Sequence, residues 1–410
     1  MLALQAHRAT TRHLQSLYLL QAGAGLPCDG PALGTDTLSG RVFSFDPFAL
    51  YGRLLTNPNV LVLGEVGKGK STLAKLLCWT QVALCGRSVA VLDPKGEYAA
   101  LAALIGLTVV RLVPGGHVRL NPLEFGSASG TRQELQQRRT DVLCSLVATG
   151  LGRAVTTEER AGIGEALRVL GDRPQLGDIA ALLLAPTSAM GSALRSSPRE
   201  LSLACRGAAL ELRRLTEGDL AGMFDGPSTV HLDPAGRGVL VDLSAVYRNP
   251  HVLAPTMVAA GSWIREALAR PGRQHLLVLD ETWQVLAHAG VGAWLRSTMK
   301  LARSLGTSVV LVSHHLSDFD SVGPASSEAA RTASSLVADT ATHVLLAQPP
   351  RSVADTSRAL ALSAAETELL PRLGRGRALW RVGEASCLVR HHVPSALAAA
   401  LDTDAEMRVA

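Results

Sequence analysis

Residues Asn59 to Thr72 read NVLVLGEVGKGKST, and this stretch decides the fold. Gly64, Gly69, Lys70 and Ser71 satisfy the pattern GxxxxGK[ST]. An apolar run stands directly before it. A helix-forming run, Thr72 to Leu84, follows directly and stops at Gly86. Strand, glycine loop and helix in that order predict a phosphate cradle. Glycines let the backbone fold back and turn its N–H groups toward phosphate oxygens. The N-terminus of the next helix adds its partial positive charge. The expected nucleotide-binding residues are Gly64, Glu65, Val66, Gly67, Lys68, Gly69, Lys70, Ser71 and Thr72. Lys70 is expected to bridge the β- and γ-phosphates of ATP, and the Ser71 hydroxyl to ligate Mg2+. Lys68 is basic but stands off the motif's lysine position.

Downstream, Leu276 to Glu281 read LLVLDE. An apolar strand here delivers two carboxylates at its C-terminal end, where ligands bind in open α/β sheets. Asp280 suits magnesium, through a water, and Glu281 suits polarisation of the attacking water. Three further stretches lie close to this chemistry. Val91 to Tyr98 read VLDPKGEY, in which Asp93 and Glu97 either order water or magnesium or simply form a Pro-Lys-Gly turn. Leu311 to Asp318 read LVSHHLSD, with His314 just past a strand end, either facing a γ-phosphate or holding structure. Arg303 is a candidate arginine finger for a neighbouring subunit, and Arg375, Arg377 and Arg381 are weaker candidates of the same kind.

Around these stretches, short β-branched runs alternate with amphipathic ones, the α/β pattern of buried parallel strands with crossover helices. Strands are expected at 60–63, 89–92, 109–112, 239–243, 276–279, 309–312 and 344–346, with a final pair at 378–382 and 387–389. The expected fold is α/β: a RecA-like P-loop core with an inserted all-α subdomain. Residues 1–40 read as a helical or loose lead-in whose Gly/Pro/Asp-rich end is loop. Residues 41–130 and 236–394 read as the two halves of the core, and 395–410 as a short helix and tail. Residues 131–235 lose the strand texture and carry apolar residues at helical spacing. There Thr156 with Glu159 signals a capping box, and Asp178 is expected to cap a helix through Leu182 to Leu184.

Composition bounds the partners. The chain has 410 residues, 47% hydrophobic, enough for a large core in two or three units. Its 40 Lys plus Arg against 35 Asp plus Glu give a net charge of +5, which permits contact with DNA or anionic lipid without arguing for it. No cysteine pair has CxxC spacing, so no zinc site or disulfide framework is indicated, and reduced thiols of a cytoplasmic protein are expected. No apolar run reaches the roughly 18–20 residues of a membrane span.

Together, GEVGKGKST, VLDPKGEY, LNPLE (Leu120 to Glu124), VLVDLS (Val239 to Ser244), VLDETW (Val278 to Trp283) and the Arg303 to His314 spacing resemble the HerA/FtsK superfamily of motor ATPases. Within it, the resemblance is to the C-terminal ATPase domain of conjugative type IV secretion ATPases of the VirB/TraC type, over roughly residues 42–392. The resemblance implies Mg-dependent ATP hydrolysis in a hexameric ring of identical subunits, with sites between subunits. It also implies work on the cytoplasmic side, against membrane-embedded channel proteins that move DNA or protein. By the same resemblance Lys70, Ser71, Asp280 and Glu281 take the usual motor roles, and Arg303 matches the arginine downstream of the second carboxylate motif. His314 stands where such proteins usually carry a sensor glutamine. The large N-terminal domain of secretion ATPases has no counterpart in the roughly 40 residues before the core. Other readings of the same engine are a DNA translocase or coupling-type ATPase, and an ATP-binding assembly scaffold with little turnover.

Overall fold

The computed structural model describes residue 26 and residues 29–124, 131–233, 235–268, 272–281, 288–314 and 336–402. Residues 1–25, and with them most of the lead-in, Trp283 of VLDETW, the SDF stretch after His314 and the last residues of the tail lie outside them.

In chain order the elements begin β1 (Ala32–Asp36), β2 (Val42–Ser44), α1 (Pro47–Leu50), β3 (Val60–Leu63), α2 (Lys70–Ala83), β4 (Ser88–Asp93), α3 (Ala99–Ile105) and β5 (Thr108–Arg111). Five helices follow: α4 (Arg132–Leu151), α5 (Thr157–Leu170), α6 (Leu176–Leu184), α7 (Ser188–Leu194) and α8 (Pro198–Glu217). The chain then returns to the sheet through β6 (Gly238–Asp242), α9 (Pro250–Leu268), β7 (His275–Leu279), α10 (Ala289–Ala302), β8 (Thr307–Ser313) and β9 (Thr342–Leu345). It ends with α11 (Pro350–Leu360), α12 (Ala364–Leu369), β10 (Arg377–Val382), β11 (Ala385–His391) and α13 (Ala398–Leu401).

The strands form one sheet in the order β2-β1-β11-β10-β9-β3-β8-β7-β4-β6-β5. From β9 to β5 all pairings are parallel, and the β10, β11, β1, β2 wing is antiparallel. This is the mixed α/β sheet expected of a RecA-like P-loop core. Because side chains alternate along a strand, the central strands feed two cores. Val60, Val62, Val89 and Val91 pack with Leu73, Leu76 and Leu77 of α2. Leu61, Leu63, Ala90 and Leu92 pack on the other face with α4, α9 and α10. Their continuous apolar runs are what strands buried on both faces require.

The stretch read as loop before Gly40 instead contains β1. Its register partner lies at the far end of the chain: Gly34 pairs with His391. A Cβ at Gly34 would sit 2.2 Å from the Arg390 carbonyl oxygen, so the glycine marks a close backbone approach and not a loop. Asp178 is likewise not a cap. It lies in the first turn of α6, whose N-cap is Gln175 without a side-chain bond. The Thr156–Glu159 capping box is present, and Thr131–Glu134 and Ser197–Glu200 form two more. LNPLE is structural: Asn121 receives Leu123 N–H and donates Nδ2–H to the Pro174 carbonyl at 3.1 Å, while its own N–H meets Ser228 Oγ. No single described helix is long and apolar enough to cross a membrane.

Candidate active site

Register assembles the site. β3 and β8 pair Leu63 with Ser313, so the next residues, Gly64 and His314, emerge side by side, and Gly64 N–H donates to the His314 carbonyl at 3.2 Å. β7 pairs with β8 on one side and β4 on the other, which places Asp280 and Glu281 at the tips next to His314 and Asp93. Thus β8 stands between the cradle strand and the carboxylate strand and carries His314 across the gap.

The cradle turns into α2 at Gly69, the helix N-cap, with φ of +102°, a conformation that side chains other than glycine's rarely adopt. Ser71 and Thr72 follow in the helix's first turn. Lys70 is 6% exposed and donates to the Glu65 carbonyl at 3.1 Å and to His314 Nδ1 at 2.9 Å. An ammonium has only protons to give, so Nδ1 is the acceptor and the His314 proton sits on Nε2. That Nε2 in turn donates to Glu281 Oε2 at 3.2 Å. Lys95 donates to the other oxygen, Oε1. Lys70, His314, Glu281 and Lys95 therefore form one hydrogen-bonded line.

The two carboxylates differ in kind. Burial would raise the Glu281 carboxyl, but the bonds from His314 and Lys95 outweigh it and hold its pKa down at about 2. Glu281 also has φ of +52°, a strained backbone for a non-glycine residue. Asp280 is held up by burial and by the Glu281 charge. Its Oδ2 accepts from Tyr98 Oη at 2.8 Å and its Oδ1 from Glu281 N–H at 2.9 Å. Asp93 turns out to shape the VLDPKGEY turn: its oxygens accept Gly96 N–H and Tyr98 N–H, each at 2.9 Å, and burial pushes its pKa up to about 6. Glu97 sits half-buried on that turn.

A cavity of about 410 Å³ adjoins the cradle, lined by Gly69, Thr72, Leu73 and Leu76 on one side and Arg375, His391 and the C-terminal segment on the other. Its size, and its lining by Gly69 and Thr72 of the cradle, fit a nucleotide whose phosphates rest there. Among the described residues no cluster of three His, Cys, Asp or Glu side chains is placed to bind a metal on its own. Magnesium takes one or two protein oxygens and draws the rest from phosphates and water, and the Ser71 hydroxyl on the first turn of α2 and the Asp280 carboxylate at the β7 tip are oxygen donors of that kind.

The structure brings together Lys70, Ser71, Asp280, Glu281 and His314. It does not bring Arg303 to them within one chain. Arg303 is exposed at the C-cap of α10, before β8 begins, at the opposite end of the strand from the site. Arg375 borders the cradle cavity, while Arg381 donates to the Leu360 carbonyl, away from it. Sequence reasoning passed over Lys95 and Tyr98. Their signal was their place in VLDPKGEY, two and five residues beyond the β4 tip.

Residues 47–167 match the family model described as "Helicase HerA, central domain". The comparison with curated proteins finds no match. Among solved structures, VirB4 of Thermoanaerobacter pseudethanolicus is similar with a TM-score of 0.72 at 22% identity, over 90% of this chain and 97% of that one. The bacterial conjugative coupling protein TrwB, in its unbound monoclinic form, is similar with a TM-score of 0.61 at 16% identity, over 90% of each chain. TrwB in complex with ADP and Mg2+ gives 0.57 at 18% identity, over 82% and 85%. The resemblance drawn from the motifs is borne out: the family model spans the cradle, and the fold is that of these P-loop ATPases.

Proposed function

We propose that this chain is a magnesium-dependent ATPase acting as a ring motor that energises conjugative DNA transfer or type IV secretion. The observation that supports it best is the line from Lys70 through His314 to Glu281, across the tips of β3, β8 and β7. A phosphate-binding cation, a polar sensor and a water-directing carboxylate are in contact before any nucleotide enters. In this reading ATP rests its phosphates on the backbone N–H groups of 64–72. Lys70 leaves His314 for the phosphate oxygens, and His314 Nδ1 becomes free to face the γ-phosphate. Glu281, as held here, is a weak base. Releasing it from His314 and Lys95 raises its basicity and lets it orient the attacking water. Ser71 Oγ and Asp280 would hold the magnesium ion, which neutralises charge on the β- and γ-phosphate oxygens.

The exposed Arg303 is assigned to the neighbouring subunit's site, so a ring of identical subunits is part of this proposal. The likeness to VirB4 and TrwB supports partners in a membrane-embedded conjugation or secretion channel, with the chain on its cytoplasmic face. The likeness to TrwB, a coupling protein, also supports a second reading, a translocase acting on DNA directly. ATP turnover with magnesium, titrated with protein and then with DNA, tests both. Turnover rising with protein concentration and indifferent to DNA supports the secretion motor. Stimulation by DNA supports the translocase. No turnover at high protein concentration sinks both and leaves the scaffold.

A further inference from the structure

Lys75 lies on α2 four residues after Ser71, hence on the same helix face. It is fully buried. Burying an ammonium costs several kcal/mol unless the surroundings compensate, at roughly the level of a whole packed side chain. Burial holds the Lys75 pKa below its ordinary value, and three sides offset part of that cost. Nζ stands 5.3 Å from the centroid of the Tyr98 ring, within cation–π range. The carboxylates of Glu97, Asp93 and Asp280 act on its charge. Nζ also reaches the Asp402 carbonyl oxygen at 3.5 Å, where the C-terminal segment covers it. Tyr98 is itself 1% exposed, and its hydroxyl donates to Asp280 Oδ2. The ring under the ammonium is therefore the ring that orients the carboxylate expected to serve magnesium.

We propose that Lys75 is a positioning residue that fixes Asp280 through the Tyr98 ring. It rests on the ATPase reading above and adds to it a control on the metal carboxylate from the buried side of the cradle helix. The lysine pins the ring by cation–π attraction, the ring places its hydroxyl, and the hydroxyl sets the carboxylate's rotation. The positive charge also offsets the repulsion among Asp93, Glu97 and Asp280, which converge beneath the cradle. A lysine kept for stability alone would be poorly chosen, because an apolar residue of the same length is often as stable or more stable in such a place.

The test uses the full chain and three variants: Lys75→Met, which keeps length and removes charge, Lys75→Arg, which restores charge, and Tyr98→Phe, which keeps the ring and removes the hydroxyl. Two quantities are read in each: the magnesium concentration for half-maximal ATP turnover, and binding of a fluorescent ATP analogue with and without Mg2+. Expected are an upward shift of the magnesium midpoint of about tenfold in Lys75→Met and Tyr98→Phe, with KM for ATP within about twofold, a melting temperature in Lys75→Met no lower than wild type, and partial rescue by Lys75→Arg. The Lys75→Met/Tyr98→Phe double variant should be no worse than the weaker single. A wild-type magnesium midpoint in both single variants, or additive losses in the double, overturns the proposal. Should Lys75→Met not fold, Tyr98→Phe and Lys75→Arg decide it by the same criteria. Absence of turnover in the wild type counts against the ATPase reading, and the gain in analogue binding on adding Mg2+ still decides the role of Lys75: equal gains in wild type and variants overturn it.

Discussion

The helices between β5 and β6 and the strand tips of the parallel sheet obey different rules. In the helical region most polar contacts are local. Three of its five helices start on a capping box, and several of their ion pairs link near neighbours, such as Arg168 with Glu165 and Arg213 with Glu217, while Arg138 reaches Glu266 on α9. At the strand tips the side-chain pairs that join different strands are long-range. Lys70 meets His314 and Tyr98 meets Asp280, pairs separated by 244 and 182 residues. Charges there are buried, and Glu281 sits in a strained backbone. The helical region is held mainly by contacts between near neighbours, and the tips hold buried charges and one strained residue through partners far along the chain.

The largest test removes the cradle cation. Lys70→Ala is expected to lower ATP turnover by about 10³-fold, equivalent to ~4 kcal/mol of barrier, without lowering the melting temperature. The tips would then behave as chemistry and not as scaffold. A coincident loss of several degrees would break the contrast.

The helical core gives the converse. Leu212 on α8 is fully buried among apolar neighbours. Leu212→Ala should destabilise by about 3 kcal/mol, within the usual range for such cavities. Unfolding in urea measures the loss. Turnover per folded molecule should stay within about twofold of wild type.

This division explains what the sequence allowed to be read. The cradle was legible because its strand, glycines, lysine and helix are contiguous, and β3 falls at the expected residues. Thr156–Glu159 was legible because a capping box spans only four consecutive residues. β1 was not, since its evidence is a strand some 355 residues away, and the glycine that permits the pairing is the residue that suggested a loop. Lys95 was not legible as Glu281's partner because sheet order, not spacing, joins their strand tips. Arg303 was read from its distance to His314 along the chain, yet β8 lies between them and carries them to opposite ends of the strand.

A smaller effect sharpens the electrostatic side of the contrast. The Glu281 pKa of about 2 lies below the ordinary glutamate value of 4.5. A depressed carboxylate stabilises the fold above its unfolded pKa and loses that contribution as pH falls through its folded one. Glu281→Gln cannot titrate. The stability gap between wild type and Glu281→Gln, expected at roughly 2–3 kcal/mol near neutrality, should narrow as pH drops from about 4.5 toward 2. A gap that stays constant over that window would show that the His314 and Lys95 bonds do not hold the charge.

The smallest effect probes whether the two regions are energetically separate. Thr156 Oγ1 accepts Glu159 N–H at 3.2 Å, and Glu159 returns a bond to Thr156 N–H. Thr156→Ala removes the first of these and leaves the Arg153–Glu159 pair in place. The expected loss is ~1 kcal/mol, which frays the start of α5 and speeds amide exchange of its first turn about fivefold. α5 packs on α4, and α4 packs on α9, which lies on β4 and β6, and on α10, which lies on β8. A local cap loss should die out along that path, so turnover should be unchanged. If turnover falls by more than about twofold while the melting temperature barely moves, the helical region biases the strand tips, and a load on those helices would reach Glu281 and His314 through α4.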